Sequence, residues 1–286
     1  TVQLSNLSNQ LNNDYIMKTI ILFAVLAVAQ ADKRCRGINL GDRYYNWDII
    51  KDGINHLHDL AINNRDSALY FTFEDITNVP ARFLGYFDMT SHNATVIDGI
   101  RNATAIAIDP KTGRTFVGGS DGLFKINERR IPERLPIVDD IQYMHFKDDL
   151  YFTNKRKEAY KFVDGKAILL NELRGLEVER LIVDNDNNIF YTNNKELFRI
   201  KLGTRAVNTH EEHKADFLAT DLYYKPYICT KNGLYSYNKY KYVFDKESDN
   251  LKNLKAITFN RVNEPIYAVY DLLIKLSLSE IPCFED

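Results

Sequence analysis

Apolar and polar positions alternate along this chain in short runs, and the runs return at a regular interval. TFVGGSDGLFKI (115–126), IFYTNNKELFRI (189–200) and PYICTKNGLYSY (226–237) each have an aromatic residue in second place, a polar centre, then Leu and another aromatic. LYFTNKRKEAYKF (150–162) and IYAVYDLLIKL (266–276) are the same unit with a longer or shorter turn. LYFTFEDITNVPARFLGYF (69–87) reads as a sixth copy with a long central loop. The leading aromatics, Tyr70, Phe116, Tyr151, Phe190, Tyr227 and Tyr267, are 46, 35, 39, 37 and 40 residues apart. A period in this range marks a repeat architecture.

Every unit reads as β. Ahead of each copy lies another apolar run ending in a polar turn: DLAINNRD (59–66), AIAIDPKTG (105–113), YMHFKDD (143–149), LIVDNDNN (181–188), LATDLYYK (218–225) and AITFNRVNE (256–264). β-Branched and aromatic residues fill the runs, and Gly, Asn, Asp and Pro separate them. Asp121-Gly122 and Asn232-Gly233 suit hairpin turns, since Gly accepts positive φ. Segments such as AILLNEL (167–173) supply a fourth strand, and no long stretch has helical periodicity. Six units of about four strands predict an all-β, six-bladed β-propeller with one blade completed by strands from both ends of the chain. On this reading the repeated aromatics pack blade against blade.

The ends of the chain add a compartment. Met17-Lys18, the apolar run IILFAVLAVA (20–29) and Ala29-Gln30-Ala31 read as a secretory signal peptide over 17–31, too short for a membrane span. Residues 1–16 read as leader sequence outside the fold, and 32–286 as a single propeller domain. In an oxidising compartment Cys35 and Cys283 are expected to form a disulfide clasping the chain ends, leaving Cys229 as a small buried residue. Asn93 and Asn102 head sequons and become expected glycan sites. The charges, 37 basic against 39 acidic, are scattered, and no Lys/Arg block marks a nucleic-acid or membrane-surface partner.

Several motifs resemble chemistry that this architecture takes away. Gly118-Gly119-Ser120-Asp121-Gly122 fits a nucleophile elbow, but that needs strand–turn–helix and Ser120 falls between two strands. Asp184-Asn185-Asp186-Asn187-Asn188 starts like a calcium loop, yet Ile189 and Lys195 stand where an EF-hand needs Gly and an acid. His210-Glu211-Glu212-His213 has its histidines three apart, in what reads as a polar loop between blades. His56 and His58 alone do not make a metal site. No metal and no catalytic residue is expected.

A candidate binding set comes from aligning the innermost strands on their terminal polar residue. Five residues upstream lie His58, Thr104, Gln142, Glu179 and Lys255, expected at the mouth of the central channel. Such a mixed polar ring suits a small polar or zwitterionic molecule. The fifth blade aligns too loosely to assign its member. Trp47, in RYYNWD (43–48), either stacks on a flat ligand with Tyr44 and Tyr45 or belongs to the outer strand of the closing blade.

The phrases AIAIDPKTGRTFVGGSDGLFKI, IFYTNNKELFRI, TDLYYKPYICTKNGLYSYNK and AITFNRVNEPIYAVYDLLIKL resemble the insect ommochrome-binding proteins, secreted proteins of lepidopteran haemolymph. The resemblance implies a non-enzymatic carrier, without a cofactor, for tryptophan-derived phenoxazinone pigments, and we expect a monomer. Lys255 or His58 would meet the carboxylates of a planar acidic chromophore. The alternative is a calcium-dependent lactonase or esterase of the gluconolactonase and paraoxonase kind, also six-bladed. In the aligned ring only Glu179 is acidic, which counts against a calcium site.

Overall fold

In the computed structural model, residues 37–75 and 81–280 are described. The leader and signal segments, Cys35 and Cys283 lie outside the described residues. Two strands near the start of the described chain, β1 (Gly37–Leu40) and β2 (Arg43–Lys51), form a hairpin. Five four-stranded antiparallel sheets follow in sequence. Blade 1 is β3 (Asp59–Asn63), β4 (Ala68–Glu74), β5 (Arg82–Asp88) and β6 (Ala94–Ile97). Blade 2 is β7 (Ala105–Ile108), β8 (Thr115–Gly119), β9 (Gly122–Ile126) and β10 (Pro132–Arg134). Blade 3 is β11 (Ile141–Lys147), β12 (Asp149–Asn154), β13 (Ala159–Val163) and β14 (Lys166–Leu169). Blade 4 is β15 (Arg180–Val183), β16 (Asn188–Asn193), β17 (Glu196–Lys201) and β18 (Asn208–Lys214). Blade 5 is β19 (Phe217–Thr220), β20 (Pro226–Thr230), β21 (Gly233–Asn238) and β22 (Val243–Ser248).

Blade 6 closes the circle. Its inner strands β23 (Ala256–Phe259), β24 (Pro265–Val269) and β25 (Leu272–Leu278) are completed by β2, which pairs antiparallel with β25, and then by β1. The innermost strands β3, β7, β11, β15, β19 and β23 each touch the next, and β23 touches β3. The protein is a six-bladed β-propeller closed by strands from both ends of the chain. Trp47 lies in β2 opposite Leu276, so it belongs to the outer part of the closing blade.

The repeated aromatics hold the blades together. Tyr70, Phe116, Tyr151, Phe190, Tyr227 and Tyr267 all sit in the second strand of their blade and all are buried. Between blades 4 and 5, Phe190 meets Tyr237 at 4.7 Å and Phe244 at 5.8 Å, both edge-on. Such contacts add to the area term that dominates blade docking. Where inner strands must approach closely, side-chain volume disappears: a Cβ on Gly118 would lie 2.4 Å from Ile141 of the next blade.

His210 and His213 are not in a loop but in β18, the outer strand of blade 4. His210 is buried, stacked on Phe190 and edge-on to Tyr237 and Phe244, while His213 meets Tyr235 at 4.8 Å. The partners come mostly from blade 5, which a polar local sequence does not disclose. Cys229 is buried with a free thiol. Ser120 sits in the β8–β9 turn, where its hydroxyl donates to the carbonyl of Arg101. No helix of the described residues is long and apolar enough to cross a membrane.

Candidate functional site

The inner strands run from one rim of the channel to the other, so their starts and ends define two different surfaces. At the N-terminal rim the aligned residues occupy one register. The backbone N–H groups of His58, Thr104, Glu179 and Lys255 donate to Thr72, Gly118, Thr192 and Ala268 of the neighbouring strand. Asp216 does the same to Cys229, which assigns the missing member of blade 5. Gln142 falls at a bulge between Ile141 and Tyr143.

These rim side chains are mostly engaged nearby. His58 Nε2 is 2.7 Å from Glu74 Oε1, and Arg82 Nε donates to the same oxygen at 3.2 Å. Glu179 pairs with Lys157 at 3.2 Å, and Asp216 with Lys195. Thr104 donates to the carbonyl of Ile141, and Gln142 Nε2 to Asp140 at 2.6 Å. Lys255 is exposed and has no ion pair among the described residues. Of the two sequons, Asn93 is exposed beside β6, whereas Asn102 is half-buried and its side-chain oxygen accepts from the N–H of Arg82.

One residue further along in each strand, the side chains of Asp59, Tyr143, Arg180 and Phe217, from blades 1, 3, 4 and 5, come together. The Arg180 guanidinium lies 5.4 Å from the Tyr143 ring centre and 4.9 Å from that of Phe217. Tyr143 reaches from blade 3 to blade 5, where its hydroxyl donates to the carbonyl of Leu218 at 2.9 Å. Asp59 accepts from the N–H of Ile106 at 2.7 Å and of Leu60 at 2.9 Å. Burial pushes its carboxyl up to about 6, against those hydrogen bonds and the charge of Arg180. A carboxylate, a guanidinium and two aromatic rings do not suit a calcium ion, which takes 6–8 oxygen ligands. Among the described residues no three His, Cys, Asp or Glu side chains are grouped to hold a metal.

Past this tier lies a central cavity of about 150 Å³ whose lining runs from Asp59 and Tyr143 to the turns at the C-terminal rim. None of His58, Thr104, Gln142, Glu179 and Lys255 lines it. His145, buried in its wall, faces the Val183 carbonyl at 3.2 Å, so Nε2 carries the proton. Desolvation lowers its pKa to about 4. A cavity this size is below the roughly 300–1,000 Å³ typical of organic-ligand sites. A larger groove, about 480 Å³, opens at the C-terminal rim beside blade 5. Four tyrosines line it, Tyr223, Tyr224, Tyr237 and Tyr240, with Lys225 and Lys239 between them. Sequence alignment of the opposite rim gives no hint of it. The cue in the sequence is the pair Tyr223-Tyr224, in a turn where the sister blades carry no aromatic residue.

The architecture defines a six-bladed β-propeller, and across its axis the described residues set a carboxylate, a guanidinium and two aromatic rings. Along nearly its whole length the chain is similar to the ommochrome-binding protein of Manduca sexta, with 21% identity over 270 residues, covering 91% of this chain and 98% of that protein. No family model matches the chain. Among solved structures it is similar in fold to a gluconolactonase from Xanthomonas campestris, with TM-score 0.65 and 11% identity over 85% of this chain and 92% of that one. The WD40 propeller domain of Doa1 superposes with TM-score 0.56 and 10% identity, covering 82% and 97% of the two chains. At these identities the likeness is one of fold.

Proposed function

We propose that the protein is a non-catalytic, secreted carrier for a small planar pigment of the ommochrome kind. The similarity to an ommochrome-binding protein from end to end of that relative carries the reading. The tyrosine-lined groove supports it, because flat aromatic ligands stack on such rings. The lactonase reading draws on the gluconolactonase-like fold. It is disfavoured by the axial tier, where Arg180 and two aromatic rings stand in place of converging oxygen ligands.

Titration of xanthommatin into the purified protein, with and without EDTA, tests the proposal through Trp47 fluorescence and the visible band of the pigment. Saturable binding unchanged by EDTA is the expected result. Absence of binding, together with stabilisation by calcium, would favour the hydrolase. Trp47, on the outer part of the closing blade and level with Phe259, is one proposed contact. The rim residues His58, Thr104, Gln142, Glu179 and Lys255 form a separate proposed locus. Replacing His58 and Lys255 by Ala lowers affinity if the pigment sits there.

A further inference from the structure

The turns that end the inner strands share one form in blades 4, 5 and 6. In blades 4, 5 and 6 they open with Asp184, Asp221 and Asn260, whose side-chain oxygens accept the N–H groups two and four residues on, all within 2.7–3.0 Å. The fourth residue of each turn is left-handed: Asn187 at φ 61°, Tyr224 at φ 58° and Asn263 at φ 62°. Blade 2 places Gly113 at the matching point, at φ 75°. Gly and Asn are the residues that tolerate this conformation, and a bulky side chain there is an outlier. Blades 1 and 3 have the small or turn-forming residues Ser67 (φ 52°) and Asp148 (φ 58°) in their inner-strand turns, so blade 5 is the blade that puts an aromatic ring there. Left-handed bulky residues also occur in other turns, Arg130, Lys195, Tyr242 and Tyr270 among them.

The departure places aromatic rings on the C-terminal rim. Tyr224 lines both the central cavity and the groove, so it forms the wall between them. Tyr223 and Tyr240 are 72% and 85% exposed on the groove's flanks. Charge in the groove is unbalanced. Lys239 pairs with Asp186 at 3.3 Å and Lys225 with Glu247 at 3.2 Å. Asp245 is exposed, accepts from Asn238 Nδ2 at 2.7 Å and has no cationic partner among the described residues. Asp184 adds a further carboxylate to the lining.

Resting on the carrier reading, we infer that this groove is the ligand site, and that its occupant is a planar aromatic molecule bearing an ammonium group. The ring system stacks on Tyr223, Tyr224 and Tyr240, and the ammonium meets Asp245. Lys225 and Lys239 are held by their own carboxylates, so the groove selects an amino-acid-bearing chromophore over a purely acidic one. The inner edge of the Tyr224 ring packs edge-on to His145 at 6.5 Å and lies beside Lys147, and the left-handed turn leaves the rest of the ring in the groove wall for binding.

The test compares xanthommatin, whose amino-acid side chain carries an ammonium, with its N-acetylated form, on the wild type and on Tyr224→Asn, Asp245→Asn and Lys255→Ala. Tyr224→Asn installs the residue of the sister turns. Its melting temperature should stay level or rise by about 2–4 °C, while affinity for xanthommatin falls by about tenfold or more. Acetylation should weaken wild-type binding by about tenfold, and Asp245→Asn should abolish most of that difference. Affinity within twofold of wild type in both groove variants, or a larger loss in Lys255→Ala, would overturn the groove assignment and leave the carrier reading standing. Failure of the wild type to bind either molecule would remove both.

Discussion

The two rims of this propeller are made from the same repeat and leave very different surfaces. At the N-terminal rim most of the aligned side chains have partners close at hand: His58 on Glu74, Glu179 on Lys157, Asp216 on Lys195, Thr104 on a carbonyl. Behind them Tyr143, Arg180 and Phe217 bridge the axis. At the C-terminal rim the turns project side chains outward, and in blade 5 those side chains are tyrosines. A rim residue with a satisfied neighbour contributes to the fold, whereas an exposed ring on a strained turn is available to something else. Position in the repeat does not separate the two cases; partners do.

The sharpest way to break this contrast is to disturb a turn that the N-terminal rim needs. Gly122 and Gly233 have φ of 129° and 138°, and a Cβ on either would lie 2.1 or 2.2 Å from the carbonyl oxygen of Ile137 or Ser248. Val at either site should cost on the order of 3–5 kcal/mol in denaturant unfolding. An exposed tyrosine turn on the opposite rim should not respond in this way.

Next in size is the response of the channel to pH. Asp59 titrates near 6 in the fold against 3.8 in the unfolded chain, so the native state binds the extra proton. Its contribution is fully present below about pH 4 and is lost as pH rises towards 6. His145 titrates near 4 against 6.5, so its contribution is present above 6.5 and is lost as pH falls towards 4. Each amounts to roughly 3 kcal/mol at 1.36 kcal/mol per pH unit, and in the wild type the two oppose one another between pH 4 and 6. Asp59→Asn should therefore lose stability more steeply than wild type on acidification through this window. His145→Gln should do the reverse. Urea unfolding at pH 4, 5, 6.5 and 7.5 reads both, and parallel curves for all three proteins would contradict the assignment.

Smaller effects come from the N-terminal rim itself. Glu74→Gln should cost less than about 1 kcal/mol, because the His58–Glu74–Arg82 cluster is partly exposed. Burial, and secondarily Arg82, already hold His58 below its ordinary pKa against the Glu74 hydrogen bond. Losing that bond should move it lower still, as an NMR titration of the ring would show. Lys255→Ala should change stability by no more than about 0.5 kcal/mol. An effect larger than that would mean that Lys255 has a structural partner after all.

The sequence by itself determined the blade count, the pairing of both chain ends in one blade, the burial of the six leading aromatics and the nature of the turns. All of these follow from local alternation, turn chemistry and a period that repeats along the whole chain. The Asp184 run belongs to the same class: its side chain closes a turn on its own backbone. Tertiary structure alone decided which residues meet. The tier across the axis lies one position beyond the aligned ring, and in a strand a shift of one residue moves a side chain to the other face. His210 is buried by Phe190, Tyr237 and Phe244, two of them from a different blade, and nothing in a polar stretch announces such neighbours. The groove at blade 5 draws Asp186 from one blade and Tyr224 and Tyr240 from the next. Closing the ring of blades brought those turns side by side, and side chains on separate turns form a surface only once that packing exists.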